Sequence, residues 1–138
     1  MVNQVANPER ADLDEYDAIT KVLQLYIDGS AQGDAAKLEQ AFHADARMFG
    51  ALAGHRVDIP IQELFELTAK GPADTDGTFR ARIVSVRRVG DAAVATVVED
   101  GFWGRVSFVD FFSLAKIAGR WWIVNKTFAH TGGDPPAA

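Results

Sequence analysis

The spacing of apolar residues divides the chain into a helical first half and a second half of strands. Apolar side chains recur every three or four positions through residues 16–27, which predicts an amphipathic helix. Asp34 fits the N-cap position of a second, shorter helix. Residues 46–49 form a short strand pattern, and Pro60 is a helix-start signal for a third helical stripe that ends at Lys70.

Apolar residues of the second half alternate or run continuously, as they do in strands. Residues 79–89 and 92–100 form one predicted hairpin, and residues 105–117 and 121–128 form a second. Because the helices precede the four long strands, the pattern predicts an α+β fold in which an antiparallel sheet packs against three N-terminal helices.

The second hairpin predicts which side chains share a face of the sheet. If Lys116 pairs with Trp121, strand alternation places Asp110, Phe112 and Asn125 on one face. The opposite face then carries Val109, Phe111, Ser113, Trp122, Val124, Lys126 and Phe128. Since a large exposed apolar patch usually marks an interface, we expect a homodimer formed through the outer face of the sheet. The alternative is that strand curvature and the N-terminal arm cover these residues.

Composition supports one globular domain. The chain has 138 residues, of which 48% are hydrophobic and 24% charged. Residues 13–130 are predicted to form this domain, residues 1–12 a disordered N-terminal arm and residues 131–138 a disordered tail.

Charge and residue content exclude several functions. The net charge of −5 and the lack of a basic block argue against nucleic acid as a partner. No apolar stretch reaches the roughly 18 residues that cross a membrane, and the N-terminus does not resemble a signal peptide, so a cytoplasmic location is expected. There is no cysteine, and His43, His55 and His130 lack metal-ligand spacing. We therefore expect no metal and no other cofactor.

Several short motifs resemble the nuclear transport factor 2-like superfamily, also called cystatin-like. One group of motifs, at residues 33–50, follows the first helix. A second run, at residues 119–126, is similar to the Putative lumazine-binding branch, which is close to SnoaL-like proteins. The residues that carry the resemblance are Gly33-Asp34, Ala41-Phe42-His43, Phe49-Gly50, Gly119-Arg120-Trp121 and Ile123-Val124-Asn125-Lys126. The resemblance covers residues 14–128. It implies a strongly curved sheet wrapped around a conical cavity and closed on one side by helices, and it implies a dimer.

Ketosteroid isomerases of this superfamily allow a comparison residue by residue. They carry a tyrosine seven residues before a Gly-Asp pair, and Tyr26 stands seven residues before Gly33-Asp34. Their catalytic aspartate follows sixteen residues after the aspartate of that pair, a position that is Gly50 here. Because glycine cannot accept a proton, the resemblance does not extend to the isomerase mechanism.

Asp110 is the strongest single candidate for a functional residue. It lies in the apolar strand segment Phe-Val-Asp-Phe-Phe, and a buried carboxylate must be hydrogen-bonded, paired or protonated. It could form the floor of a ligand pocket. It could instead fix strand register by contacting Thr127, Arg47 or Lys126.

Three functions remain open at this point. The first is binding of a small, partly aromatic molecule, pteridine- or lumazine-like, in a conical pocket lined by Tyr26, Phe65, Trp103, Asp110, Phe112 and Asn125. The second is a cofactor-free isomerase, lyase or dehydratase that uses Asp110 with Tyr26 or His43 as acid and base. The third is a dimeric interaction protein with a vestigial pocket. The sequence does not decide whether the protein is an enzyme.

Overall fold

The structure, a computed structural model, describes residues 8–136, with side chains from residue 12 onward. Its helices are α1 (Pro8–Gln32), α2 (Ala35–Ala41) and α3 (Ile61–Lys70). Its strands are β1 (Phe42–Leu52), β2 (His55–Pro60), β3 (Arg80–Val89), β4 (Ala92–Phe102), β5 (Val106–Ile117) and β6 (Arg120–Gly132). The predicted α+β class is confirmed, with a curved, open sheet packed against the three helices.

The sheet has the strand order β2-β1-β6-β5-β4-β3. All neighbouring strands are antiparallel except β1 and β6, which run parallel. The expected short strand at 46–49 is the middle of the longer β1. The hydrophobic pattern does not indicate β2, because this edge strand has no buried residue. The β1–β2 hairpin closes through Ala53 and Gly54, both at positive φ.

Both ends of the ordered domain extend further than the sequence pattern predicts. Helix α1 begins at Pro8, inside the predicted arm of residues 1–12, and proline is well tolerated in the first helical turn. Strand β6 continues to Gly132, inside the predicted tail, because Gly132 pairs with Ser107 of β5. Residues 1–7 of the arm and 137–138 of the tail lie outside the described residues.

Aromatic side chains fill the end of the hollow that lies beneath α1. Tyr26 packs edge-on against Phe112, with ring centroids 5.0 Å apart, and against Phe42 at 5.8 Å. All three side chains are buried. Phe65 of α3 closes the group, 6.0 Å from Phe42. The predicted hollow is therefore packed at this end, and open space lies farther along the sheet, beside α3.

A one-residue bulge in β6 changes the predicted register. Lys116 pairs with Trp121 and Leu114 with Ile123, as expected. Val124 is then skipped, and Ser113 pairs with Asn125. The extra residue of a β-bulge reverses which face the following side chains occupy.

Because of the bulge, the residues of β6 after Val124 lie on the opposite faces from those predicted. Lys126 and Phe128 are buried on the inner face, whereas Asn125 and Thr127 belong to the outer face. Asn125 donates a hydrogen bond to the Thr127 hydroxyl at 3.3 Å. The prediction that Asn125 lines the pocket is therefore wrong. It assumes strict alternation across Val124, where β6 has a bulge that the hydrophobic pattern does not reveal.

The outer face of the sheet is apolar and exposed, as expected. Val94, Val98 and Phe111 are 55%, 40% and 51% exposed. Among the described residues, no helix has the length and apolar character needed to cross a bilayer.

Candidate functional site

A cavity of about 130 Å³ lies between α3, the β1–β2 hairpin and strands β5 and β6. Its walls are apolar side chains that include Met48, Leu64, Phe108 and Phe128. Thr68 and Lys126 add polar groups. The volume is close to the roughly 150 Å³ of a cavity known to accept benzene, so the space suits one small ring.

Trp103 forms part of the solvent side of the cavity together with the exposed Leu67. Its indole Nε1 donates to the Gly71 carbonyl at 3.2 Å, and its backbone N–H donates to the Ala73 carbonyl at 2.8 Å. These bonds hold Trp103 at a positive φ of 55°, a backbone conformation that is unusual for a bulky residue. The β4–β5 connection is thereby fastened to the loop after α3 and gives the cavity a fixed rim.

A cluster of buried polar groups lies behind the floor of the cavity. Tyr26 of α1, Glu99 of β4 and Asp110 of β5 are each at most 1% exposed, and Lys126 of β6 is 6% exposed. The Tyr26 hydroxyl lies 2.7 Å from Asp110 Oδ2 and 3.1 Å from Glu99 Oε2. A phenol carries one proton and can donate it to only one of these oxygens. The second contact is therefore favourable when the other carboxyl group is protonated and donates to the phenol oxygen.

The surroundings of Glu99 favour the protonated form of its carboxyl group. Burial raises the pKa of Glu99 well above its ordinary value, and the charge of Asp110 raises it further, although Lys126 acts in the opposite direction. Burial and the two carboxyl groups also raise the pKa of Tyr26. With Glu99 and Tyr26 neutral, the Asp110 carboxylate and the Lys126 ammonium leave the cluster without net charge.

Lys126 connects this cluster to the cavity. Its Nζ lies 3.9 Å from Asp110 Oδ1, farther than a hydrogen bond allows. The Nζ atom also lies 5.0 Å from the centre of the Tyr26 ring and 5.7 Å from that of Phe128. Within the described part of the chain, Glu99 Oε1 and Asp110 Oδ1 have no hydrogen-bond donor. The cluster thus contains carboxyl oxygens without donors, and the cation next to them is the Lys126 ammonium, which also lines the cavity.

The structure separates the residues predicted to bind a ligand. Trp103 lines the cavity. Tyr26 and Asp110 belong to the cluster behind Lys126, and Phe65 and Phe112 are buried core residues that do not line the cavity. All four side chains face inward, as the sequence pattern predicts. The aromatic packing beneath α1 nevertheless places them outside the lining of the cavity.

His43 lies apart from this cluster. It follows the inward-facing Phe42 on β1 and packs edge-on against Trp122, at 5.9 Å between ring centroids. Its Nδ1 accepts the backbone N–H of Asp45 at 3.1 Å. His43 and Asp110 therefore occupy opposite faces of the sheet, so His43 is not the acid or base partner of Asp110.

The sequence analysis names Lys126 as a possible partner of Asp110, but it includes neither Lys126 nor Glu99 among the residues predicted to bind a ligand. Glu99 continues the alternation of the buried residues Ala93, Ala95 and Val97, a signal that could have placed it on the inner face. Lys126 offered no such signal, because its orientation depends on the bulge.

Gly50 explains why no base occupies the position that is catalytic in ketosteroid isomerases. It pairs with Phe128 across β1 and β6. A Cβ atom on Gly50 would come within 2.5 Å of the Phe128 ring. The aromatic wall of the cavity thus covers the backbone where a carboxylate side chain would begin.

The fold and the cavity define an NTF2-like protein with a cystatin-like fold. Residues 14–129 match the model of the family described as Putative lumazine-binding, and the chain belongs to that family. A cluster of three or more metal-binding side chains is not found within the described residues.

Solved structures and one curated protein are similar to this chain. An NTF2-like protein of unknown function from Shewanella baltica OS155 has a TM-score of 0.79 and 31% identity, covering 88% of this chain and 97% of its own. Another, from Methylobacillus flagellatus KT, has a TM-score of 0.78 and 33% identity, covering 86% and 94%. Aldolase FrzH from Cladobotryum sp is 24% identical over 114 residues, which are 83% of this chain and 90% of that protein.

Proposed function

We propose that the protein binds a small, partly aromatic molecule in the cavity beside α3. The observation that carries this proposal is the Lys126 ammonium at the floor of a cavity with otherwise mostly apolar walls. Ligand pockets commonly combine apolar walls with a few polar groups that orient the ligand. A flat ring would lie among the apolar side chains and accept a hydrogen bond from Nζ.

The size of the cavity limits the ligand. About 130 Å³ suits one ring, so a bicyclic ligand would place its second ring toward Trp103. Offset or edge-on contact with the indole would stabilise that ring. A pteridine-like heterocycle fits this description, and the family description names lumazine.

The charge balance of the site favours a neutral ligand. Asp110 and Lys126 already compensate each other at 3.9 Å. An anion at Nζ would compete with Asp110 and leave a buried carboxylate without compensation, which is costly. A neutral carbonyl or ring nitrogen can accept from Nζ without removing that compensation, and lumazine has such carbonyl groups.

Titration with lumazine, followed by protein fluorescence or NMR, tests the proposal. We expect saturable binding, weakened about tenfold or more in Lys126→Met, because a hydrogen bond from a charged group contributes about 1.5–3 kcal/mol. Asn125→Ala is a matched control, since Asn125 is on the other face of the sheet. Equal affinity in a folded Lys126→Met variant would contradict the role of the ammonium. A lack of saturable binding would contradict a pteridine-like ligand.

Cofactor-free acid–base catalysis is a second candidate function. It is favoured by the 2.7 Å hydrogen bond between Tyr26 and Asp110, and one relative is named an aldolase. Lys126 stands between these groups and the cavity. Deuterium exchange of the α-protons of phenylacetone in D₂O, followed by NMR, tests it. Exchange that is catalysed by the wild type and lost in Asp110→Asn would support catalysis, whereas equal rates with and without protein would contradict it for this class of ketone.

We also propose that two copies associate through the outer face of the sheet. The exposed side chains of Val94, Val98 and Phe111 support this proposal. The oligomeric state in solution decides it.

A further inference from the structure

We propose that Lys126 forms an imine with small aldehydes or ketones that enter the cavity. The proposal depends on the cavity being a ligand site, and it assigns a covalent role to the residue at its floor. It names a substrate class: a carbonyl compound whose apolar part is about the size of one ring.

The first argument is the position of the amine. The bulge at Val124 turns Lys126 toward the inner face, where its side chain lines the cavity and is 6% exposed. The neighbouring Phe128 ring and the Tyr26 ring restrict Nζ. A carbonyl group that accepts a hydrogen bond from Nζ already has its carbon atom close to the nitrogen. Such positioning of reacting atoms is a major source of rate enhancement.

The second argument is that groups able to move protons lie next to the amine. The ammonium must lose a proton before the nitrogen lone pair can attack. Asp110 Oδ1 lies 3.9 Å from Nζ and has no hydrogen-bond donor among the described residues, so it can receive the proton once the lysine side chain moves within hydrogen-bond distance. Tyr26 joins Asp110 to Glu99 through contacts of 2.7 and 3.1 Å. The chain of carboxyl and phenol groups can therefore store and return the proton.

The reaction balances with these groups alone. The nitrogen lone pair forms a C–N bond, and the carbonyl π electrons move to oxygen, which is protonated to give a carbinolamine. A second proton reaches that oxygen, the C–O bond breaks, water leaves, and the nitrogen lone pair forms C=N. Overall the ammonium gives two protons to the departing oxygen, so the products are a protonated imine and one water molecule.

Reductive trapping of the full chain tests the proposal. The protein is incubated with benzaldehyde and sodium cyanoborohydride, digested, and analysed by mass spectrometry for lysines that carry a benzyl group. We expect Lys126 to be modified about tenfold faster or more than the exposed Lys21 and Lys70, because the cavity holds the aldehyde next to Nζ. Asp110→Asn should slow modification at Lys126 while leaving Lys21 and Lys70 unchanged.

Benzyl alcohol separates failure of this inference from failure of the binding proposal. It has the same ring and cannot form an imine, so its binding is measured by NMR without reductant. Saturable binding that protects Lys126 from benzylation would support both proposals. Saturable binding with Lys126 modified no faster than Lys21 would overturn the imine and leave the binding site intact. Absence of binding together with unselective modification would overturn both.

Discussion

Replacing Glu99 with glutamine tests the protonation state of the buried cluster. Glutamine has nearly the shape of a protonated glutamic acid and can still donate a hydrogen bond, but it cannot ionise. The variant therefore preserves packing around a residue that is 1% exposed while removing its titration. The informative quantity is the difference in the free energy of unfolding between the variant and the wild type as a function of pH.

The sign of that difference follows from the direction of the pKa shift. Burial and the Asp110 charge raise the pKa of Glu99 in the folded protein, whereas the unfolded carboxyl has its ordinary value of 4.5. Between these values the folded state binds more protons, so the wild type loses stability as pH rises through the raised pKa. One proton corresponds to a slope of at most about 1.4 kcal/mol per pH unit. Above pH 4.5, the stability of Glu99→Gln relative to the wild type should increase by up to that slope.

Urea unfolding at a series of pH values between about 5 and 8 measures the difference. The control is Glu66→Gln, which makes the same chemical change at an exposed position of α3 outside the cluster. Subtracting the wild type removes the contributions of carboxyl groups that the substitution does not affect. A flat or falling difference for Glu99→Gln would refute the argument, because it would mean that Glu99 is charged in the folded protein.

Three further substitutions test the packing of the site and the outer face. Tyr26→Phe removes the donor to the buried Asp110 and should cost about 1.5–3 kcal/mol in urea unfolding; unchanged stability would contradict the 2.7 Å hydrogen bond. Gly50→Ala should push the Phe128 ring into the cavity, cost about 1–3 kcal/mol and weaken lumazine binding, whereas wild-type stability and affinity would show that the ring can move aside. Phe111→Lys should convert the proposed dimer to a monomer in light scattering after size exclusion, and a monomeric wild type would refute the interface.

Elements with one clearly buried face could be predicted from the sequence. The stripe in α1 is visible because Ile19 and Leu23 are fully buried at helical spacing. The predicted cap of α2 is present, since the Asp34 carboxylate accepts the Lys37 backbone N–H at 3.3 Å. Strand β2 and the parallel pairing of β1 with β6 were not predicted. An edge strand lacks strong alternation, and pairing between distant segments leaves no local signal.

The site was only partly predictable because its members follow different rules. An apolar strand around Asp110 indicates a buried carboxylate, and the resemblance draws attention to Tyr26; the structure brings the two side chains together. The charge that balances Asp110 could not be assigned. Arg47 and Lys126 were both possible cations, and alternation placed Lys126 on the opposite face from Asp110.

Electrostatics gives a reason for the bulge that alternation alone cannot supply. Without the bulge at Val124, regular alternation along β6 would present Asn125 to the inner face and Lys126 to the outer face. Asp110 would then be a buried carboxylate without a nearby cation. Breaking a buried ion pair costs about 3–5 kcal/mol when one charge is left uncompensated. The bulged register avoids that cost and places the ammonium at the cavity floor, so one irregularity in β6 both stabilises the fold and creates the polar group of the proposed binding site.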